Sequence, residues 1–271
     1  MPLSSEPMGK LLADVHNLVR AALATHHDVD SVELEVNPKG DISQPFDLTA
    51  EQCVERFLRR QAPPGVLLSE ESGELILSEA PHEWCFILDP VDGSDNYARG
   101  LNLSSVCLAV LPAGAPLAVD NIEWALVGEL EKVTPLLARR GRKAFRGDAQ
   151  VRTSGVERIE DAFVSVELNH FAPPPELGAL MARARGVRSL GCASRALSLV
   201  ATGALDAHVD IRNRLTPESF FAAALAVEEA GGCLLNPRGQ PLPCARGLTQ
   251  RFSLIDAATR QLADAIVEAL A

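Results

Sequence analysis

The run WCFILDPVDGSDNY, residues 84–97, constrains this chain more than any other stretch. Five apolar residues lead without alternation into Asp89, Pro90, Val91, Asp92 and Gly93. An unbroken apolar run of that length suits a strand covered on both faces, so the fold needs a layer on either side of it. Residues 65–74, GVLLSEESGE, repeat the arrangement, with a short apolar run ending in Glu70 and Glu71.

Carboxylates gathered at the ends of buried strands repel one another and are costly unless their charge is compensated. A divalent cation resolves the crowding, and hard oxygen ligands are what magnesium prefers, with manganese as a substitute. Pro90 keeps Asp89 out of helical conformation. Gly93 permits close backbone approach, and Ser94 opens a helix start whose N–H groups can receive a phosphate. The competing reading of the same residues is a turn whose aspartates make only local side-chain-to-backbone hydrogen bonds.

The rest of the chain reads as alternating α and β segments. Residues 5–24 carry Leu11, Leu12, Val15, Val19 and Leu23 at helical spacing, with His16 at the edge of the stripe as a structural or solvated residue. SVELEV at 31–36 alternates like a strand. A second helix is expected from a capping box formed by Thr49 and Gln52, which leaves Asp47 just before its N-terminus. Strands and turns follow to about residue 150. Beyond it come a strand in AFVSVEL, helices in LGALMARA and SRALSLVATGA, a strand in LDAHVDIR, a helix over 219–230 and a last amphipathic helix. The expected fold class is α+β, in two halves spanning 1–150 and 151–271.

A net charge of −11 argues against a broad nucleic-acid or anionic-membrane footprint. An acidic protein that handles an anion needs a local cation. No apolar stretch has the length of a membrane span. The six cysteines include no C-x-x-C pair, which reads as reduced thiols in a cytoplasmic protein, with Cys85 and Cys107 as small core residues.

Three separated motifs together carry a resemblance: Glu70-Glu71, then DPVDGSDNY at 89–97, then EEAGG at 228–232. With GRKAFRGDAQVRTS and SLGCASRALSLVATGALDAHVDIR as weaker echoes, the chain resembles the inositol monophosphatase family of magnesium-dependent phosphatases over nearly its whole length. VDIRNRL is similar to the archaeal-type branch that also acts on fructose 1,6-bisphosphate. The resemblance implies a layered α/β/α/β/α sandwich, with the active site between two halves, and a homodimer. It implies that Glu70, Asp89 and the Val91 carbonyl hold one magnesium ion, and that Asp89 and Asp92 hold a second. Asp47 and Ser94 would orient the attacking water, with Glu70 among the catalytic groups. Gly93 and Ser94 amides would grip phosphate. Gly191, Cys192, Ala193 and Asp210 would meet the substrate's hydroxyls, and Arg212 a second phosphate or sugar group.

The family's remaining ligand to the second metal is an aspartate ten residues before the Glu of its E-A-G-G. Here that position is Ser219, with Glu218 beside it in a helix expected to begin at Pro217 with Thr216 as cap. Three functions follow as expectations. The first is hydrolysis of a small sugar or inositol phosphate. The second keeps the mechanism with fructose 1,6-bisphosphate or a 3'-phosphonucleotide. The third is a catalytically impaired binding or scaffold protein.

Overall fold

The computed structural model describes residues 2–24 and 43–271. The expected strand at 31–36 lies outside the described residues. In chain order the elements are α1 (Pro7–Ala24), α2 (Pro45–Gln61), β1 (Gly65–Ser69), β2 (Gly73–Ile76), β3 (Trp84–Asp92), α3 (Ser94–Ala98), β4 (Ser105–Pro112) and β5 (Trp124–Glu129). They continue with β6 (Leu136–Arg139), β7 (Ala144–Arg146), β8 (Ala149–Gln150), β9 (Phe163–Val166), α4 (Pro175–Arg183), β10 (Gly186–Arg188) and α5 (Ala193–Ala201). The last are β11 (Ala207–Leu215), α6 (Pro217–Ala230), β12 (Cys233–Leu235), β13 (Phe252–Ala257) and α7 (Arg260–Leu270).

Among the described residues two sheets form, one of eight strands in the order β2-β1-β3-β4-β5-β6-β7-β8, the other of five in the order β10-β9-β11-β13-β12. The layers follow from which face each side chain takes. Phe86 and Leu88 of β3 pack with Leu12, Val15, Val54 and Leu58 of α1 and α2, whereas Cys85 and Ile87 pack on the other face with α5 and α6. Burial on both sides is why β3 shows no alternation. The second sheet repeats the scheme, with Val164, Val166, Val209 and Ile255 turned toward α4 and α7. The result is the expected α/β/α/β/α sandwich. Helix α6 is buried on nearly all sides between the sheets, and its all-round Phe and Ala content follows from that position.

Asp89 and Asp92 are three residues apart, so a regular strand would point them to opposite faces. The β3–β4 register shifts between them: Asp89 faces Cys107 and Asp92 faces Ser105, so three steps on β3 match two on β4. This bulge at Pro90-Val91 turns both carboxylates to one side, and a proline with no N–H to donate suits it.

The helix boundary near Asp47 differs from the expected one. Helix α2 begins at Pro45 after Gln44, so Thr49 and Gln52 lie inside it and Asp47 is its third residue, accepting from the Gln44 backbone N–H at 3.4 Å. Proline in the first position pre-sets the helical backbone, and that outweighs the capping-box spacing further on. Helix α6 begins at Pro217 as expected, but Thr216 Oγ1 donates to Glu218 Oε1 at 2.5 Å rather than capping a backbone N–H.

Candidate active site

The strand ends and helix starts meet around a cavity of about 340 Å³. Asp47, Glu70, Glu71, Asp89, Val91, Asp92, Gly93 and Ser94 line it from the first sheet and its helices. Gly191, Cys192, Ala193, Asp210, Arg212 and Ser219 line it from the second half of the chain. Glu218 does not line this cavity; with Leu68, Glu70 and Leu117 it borders a separate one. Successive helical side chains diverge by about 100°, so a wall that takes Ser219 turns Glu218 elsewhere.

Asp47 and Ser94 come together. Ser94 Oγ lies 3.1 Å from Asp47 Oδ1 and 2.8 Å from the Val91 carbonyl. Burial, reinforced by Glu71 and Glu70, pushes the Asp47 carboxyl up to about 8. Asp89 Oδ1 accepts the Val91 N–H at 3.1 Å. Asp92 Oδ2 accepts the backbone N–H and hydroxyl of Ser194 at 2.7 and 2.6 Å, and the Cys192 thiol at 3.2 Å. Burial raises Asp92 above the usual carboxylate range even against these donors. Gly93 has φ of +85°, and a Cβ there would lie 3.0 Å from both Cys192 Cβ and the Leu103 carbonyl oxygen, so this turn admits glycine alone.

Two groups escape notice in the sequence. Glu51, four residues after Asp47 on the same face of α2, is buried and accepts the hydroxyls of Ser69 and Ser72. It also accepts the backbone N–H groups of Glu71 and Ser72 at 3.3 and 3.2 Å, which fixes the turn presenting Glu70 and Glu71. Two acids at i and i+4 beside a buried stripe were the available signal. Glu167 directly follows β9, and its Oε2 accepts the Gly191 N–H at 3.1 Å.

Among the described residues eight carboxylates and two guanidinium groups line the cavity. Among the described residues no three Asp, Glu, His or Cys side chains are already closed to metal-ligand distance. The donor set is nevertheless that of a hard cation: carboxylate oxygens and one carbonyl at the end of β3.

Fold and site together define a layered α+β protein with an acidic cavity between its sheets, suited to an anionic substrate only in company with a cation. The chain belongs to the inositol monophosphatase family, whose sequence profile matches residues 8–271. It is 28% identical over 235 residues to a fructose-1,6-bisphosphatase/inositol-1-monophosphatase of Thermococcus kodakarensis, covering 86% of this chain and 85% of that one. It is 28% identical over 229 residues to a putative Nus factor SuhB of Neisseria meningitidis, covering 82% of each. Among solved structures, the extragenic suppressor protein suhB of Bartonella henselae has the same fold, with a TM-score of 0.79 at 24% identity over 97% of this chain and 96% of that one. No helix among the described residues is long and apolar enough to cross a membrane.

Proposed function

We propose that the protein is a magnesium-dependent phosphomonoesterase that hydrolyses a small sugar or inositol phosphate by direct attack of water. The observation that carries this reading is the Asp47–Ser94 pair, 3.1 Å apart, on the same cavity wall as the carboxylate end of β3. Glu70, Asp89, Asp92 and the Val91 carbonyl would hold magnesium. When bound, that ion supplies Lewis acidity toward the phosphoryl oxygens and lowers the pKa of water.

The chain's own residues do the rest. Asp47 takes the proton of the attacking water. Ser94, held between Asp47 Oδ1 and the Val91 carbonyl, fixes the direction of attack. The Gly93 and Ser94 N–H groups face the phosphate. As water oxygen bonds to phosphorus, the ester P–O bond breaks, and the leaving alkoxide recovers a proton from solvent. The Gly191–Ala193 turn receives the substrate's hydroxyls, beside the Asp210–Arg212 pair.

Fructose 1,6-bisphosphate keeps the same mechanism, and the double name of the Thermococcus relative supports it as a substrate. A non-catalytic binding role is favoured by two observations. One is the neutral Ser219, whose hydroxyl donates to the Thr216 carbonyl at 2.8 Å. The other is a relative named as a putative Nus factor. Release of inorganic phosphate from a panel of inositol, sugar and nucleotide 3'-phosphates, with and without magnesium, separates these readings. No release from any of them rejects the phosphatase.

A further inference from the structure

The strand β11 pairs regularly with β13 as far as Asp210, opposite Leu254, and resumes at Leu215, opposite Phe252. Five steps on one strand match two on the other, so residues 211–214 leave the ladder. Asn213 stands in this excursion with φ of +54°, and its N–H donates to Ser253 Oγ at 2.9 Å. A left-handed asparagine in a strand is costly and persists only where its surroundings fix it. The excursion carries two arginines to the cavity, Arg212 and Arg214.

Their situations differ. Arg212 is committed: Nε and Nη2 donate to the two oxygens of Asp210 at 3.0 and 2.7 Å, and Nη1 donates to the Asn169 carbonyl at 3.1 Å. Its side chain is 12% exposed. Arg214 is exposed, lines the same cavity, and makes no hydrogen bond or ion pair among the described residues. Among the described residues all other charged side chains on the wall are acidic, so the wall they form repels a second anionic group on a substrate except at this rim. A guanidinium matches a phosphate or carboxylate by two parallel hydrogen bonds.

We propose that Arg214 is a specificity-determining residue that recognises a second anionic group on the substrate, at the β11 side of the cavity. This deepens the phosphatase reading and rests on it. The family resemblance implies Arg212 for that role, but the bond to Asp210 occupies its guanidinium, and the role passes to its neighbour two residues on.

The test uses matched pairs: inositol 1-phosphate against inositol 1,4-bisphosphate, and fructose 1-phosphate against fructose 1,6-bisphosphate. Arg214→Ala lowers kcat/KM for a bisphosphate roughly 10- to 100-fold more than for its monophosphate, the loss expected for a hydrogen bond to a charged group. Arg214→Lys recovers part of the difference, and Arg238→Ala, an exposed arginine outside the cavity, leaves the ratio unaltered. A ratio within twofold of the native one in both pairs for Arg214→Ala overturns the inference. Calorimetric binding of the same pairs to Asp47→Asn in magnesium, alone and combined with Arg214→Ala, gives a readout without turnover. If the native protein releases no phosphate, the phosphatase reading fails. The inference then stands only if Arg214→Ala still weakens bisphosphate binding selectively.

Discussion

Ser94 Oγ lies 3.1 Å from Asp47 Oδ1, so residues 47 positions apart share one wall of the cavity. One stands in the first turn of α2, the other opens α3 just past the bulge in β3. If Asp47 accepts the proton of water, Asp47→Asn lowers kcat by about 10²- to 10⁴-fold, the range of general base catalysis. KM moves far less, because the amide keeps the side chain's shape. Steady-state kinetics on protein with native circular dichroism decides it, and a kcat within threefold of native rejects Asp47 as the base.

Glu51 acts through the turn it holds. Replacing it with alanine leaves the Ser69 and Ser72 hydroxyls and two backbone N–H groups without their acceptor, at a cost of about 1–3 kcal/mol. The midpoint of urea unfolding falls accordingly, and Glu70 is presented less well to magnesium. The second effect separates a positioning residue from a merely structural one: isothermal titration of magnesium shows weaker binding at a temperature where the variant is folded. Unaltered magnesium affinity restricts Glu51 to stability.

The structure makes a pH prediction far from the site. His16 in α1 is buried against β5, with Nε2 3.1 Å from the Glu129 carbonyl. Burial first, and then Arg20 and Arg146, lower its pKa from 6.5 to about 4. The unfolded chain therefore binds the proton more readily between these values, and His16 contributes stability above pH 6.5 that is lost as pH falls toward 4. The full effect is about 3 kcal/mol. Urea denaturation at intervals from pH 7 to 4.5 should show this slope for the native protein and a shallower one for His16→Gln. Equal slopes assign the acid sensitivity to other groups.

Ser219 lines the cavity at the start of α6 and offers magnesium a neutral oxygen already donating to the Thr216 carbonyl. A carboxylate at this position adds a charged ligand, so Ser219→Asp lowers the magnesium concentration for half-maximal binding by about tenfold. Titration by calorimetry measures it independently of turnover. An unchanged magnesium isotherm means that residue 219 is not directed at the cation.

Much of the frame was legible in the residues. The unbroken apolar run of β3 required cover on both faces, and α1, α2, α5 and α6 supply it. The acidic strand ends marked the cavity for the same reason that they are costly to bury. What could not be read was local and geometric. The start of α2 was misplaced because glutamine is a weak cap, and Pro45 sets the helix instead. Glu51 is one more helical acid in the sequence, and only the fold brings it to the turn it holds. The bulge that sends Asp89 and Asp92 to one side depends on the register with β4, a pairing that spacing along one strand does not contain. Arg212 and Arg214 could be told apart only once Asp210 was seen to bind the first of them.

We assign the carboxylates at the end of β3 to a cation that promotes phosphate ester hydrolysis. The most direct test is magnesium-dependent release of inorganic phosphate from inositol 1-phosphate and fructose 1,6-bisphosphate by native protein and by Asp89→Asn. Asparagine retains an oxygen for the Val91 N–H and removes the charge. Release is expected to stop when EDTA removes the metal and to fall at least about 100-fold in the variant. Release that persists without magnesium, or that survives Asp89→Asn undiminished, contradicts this assignment.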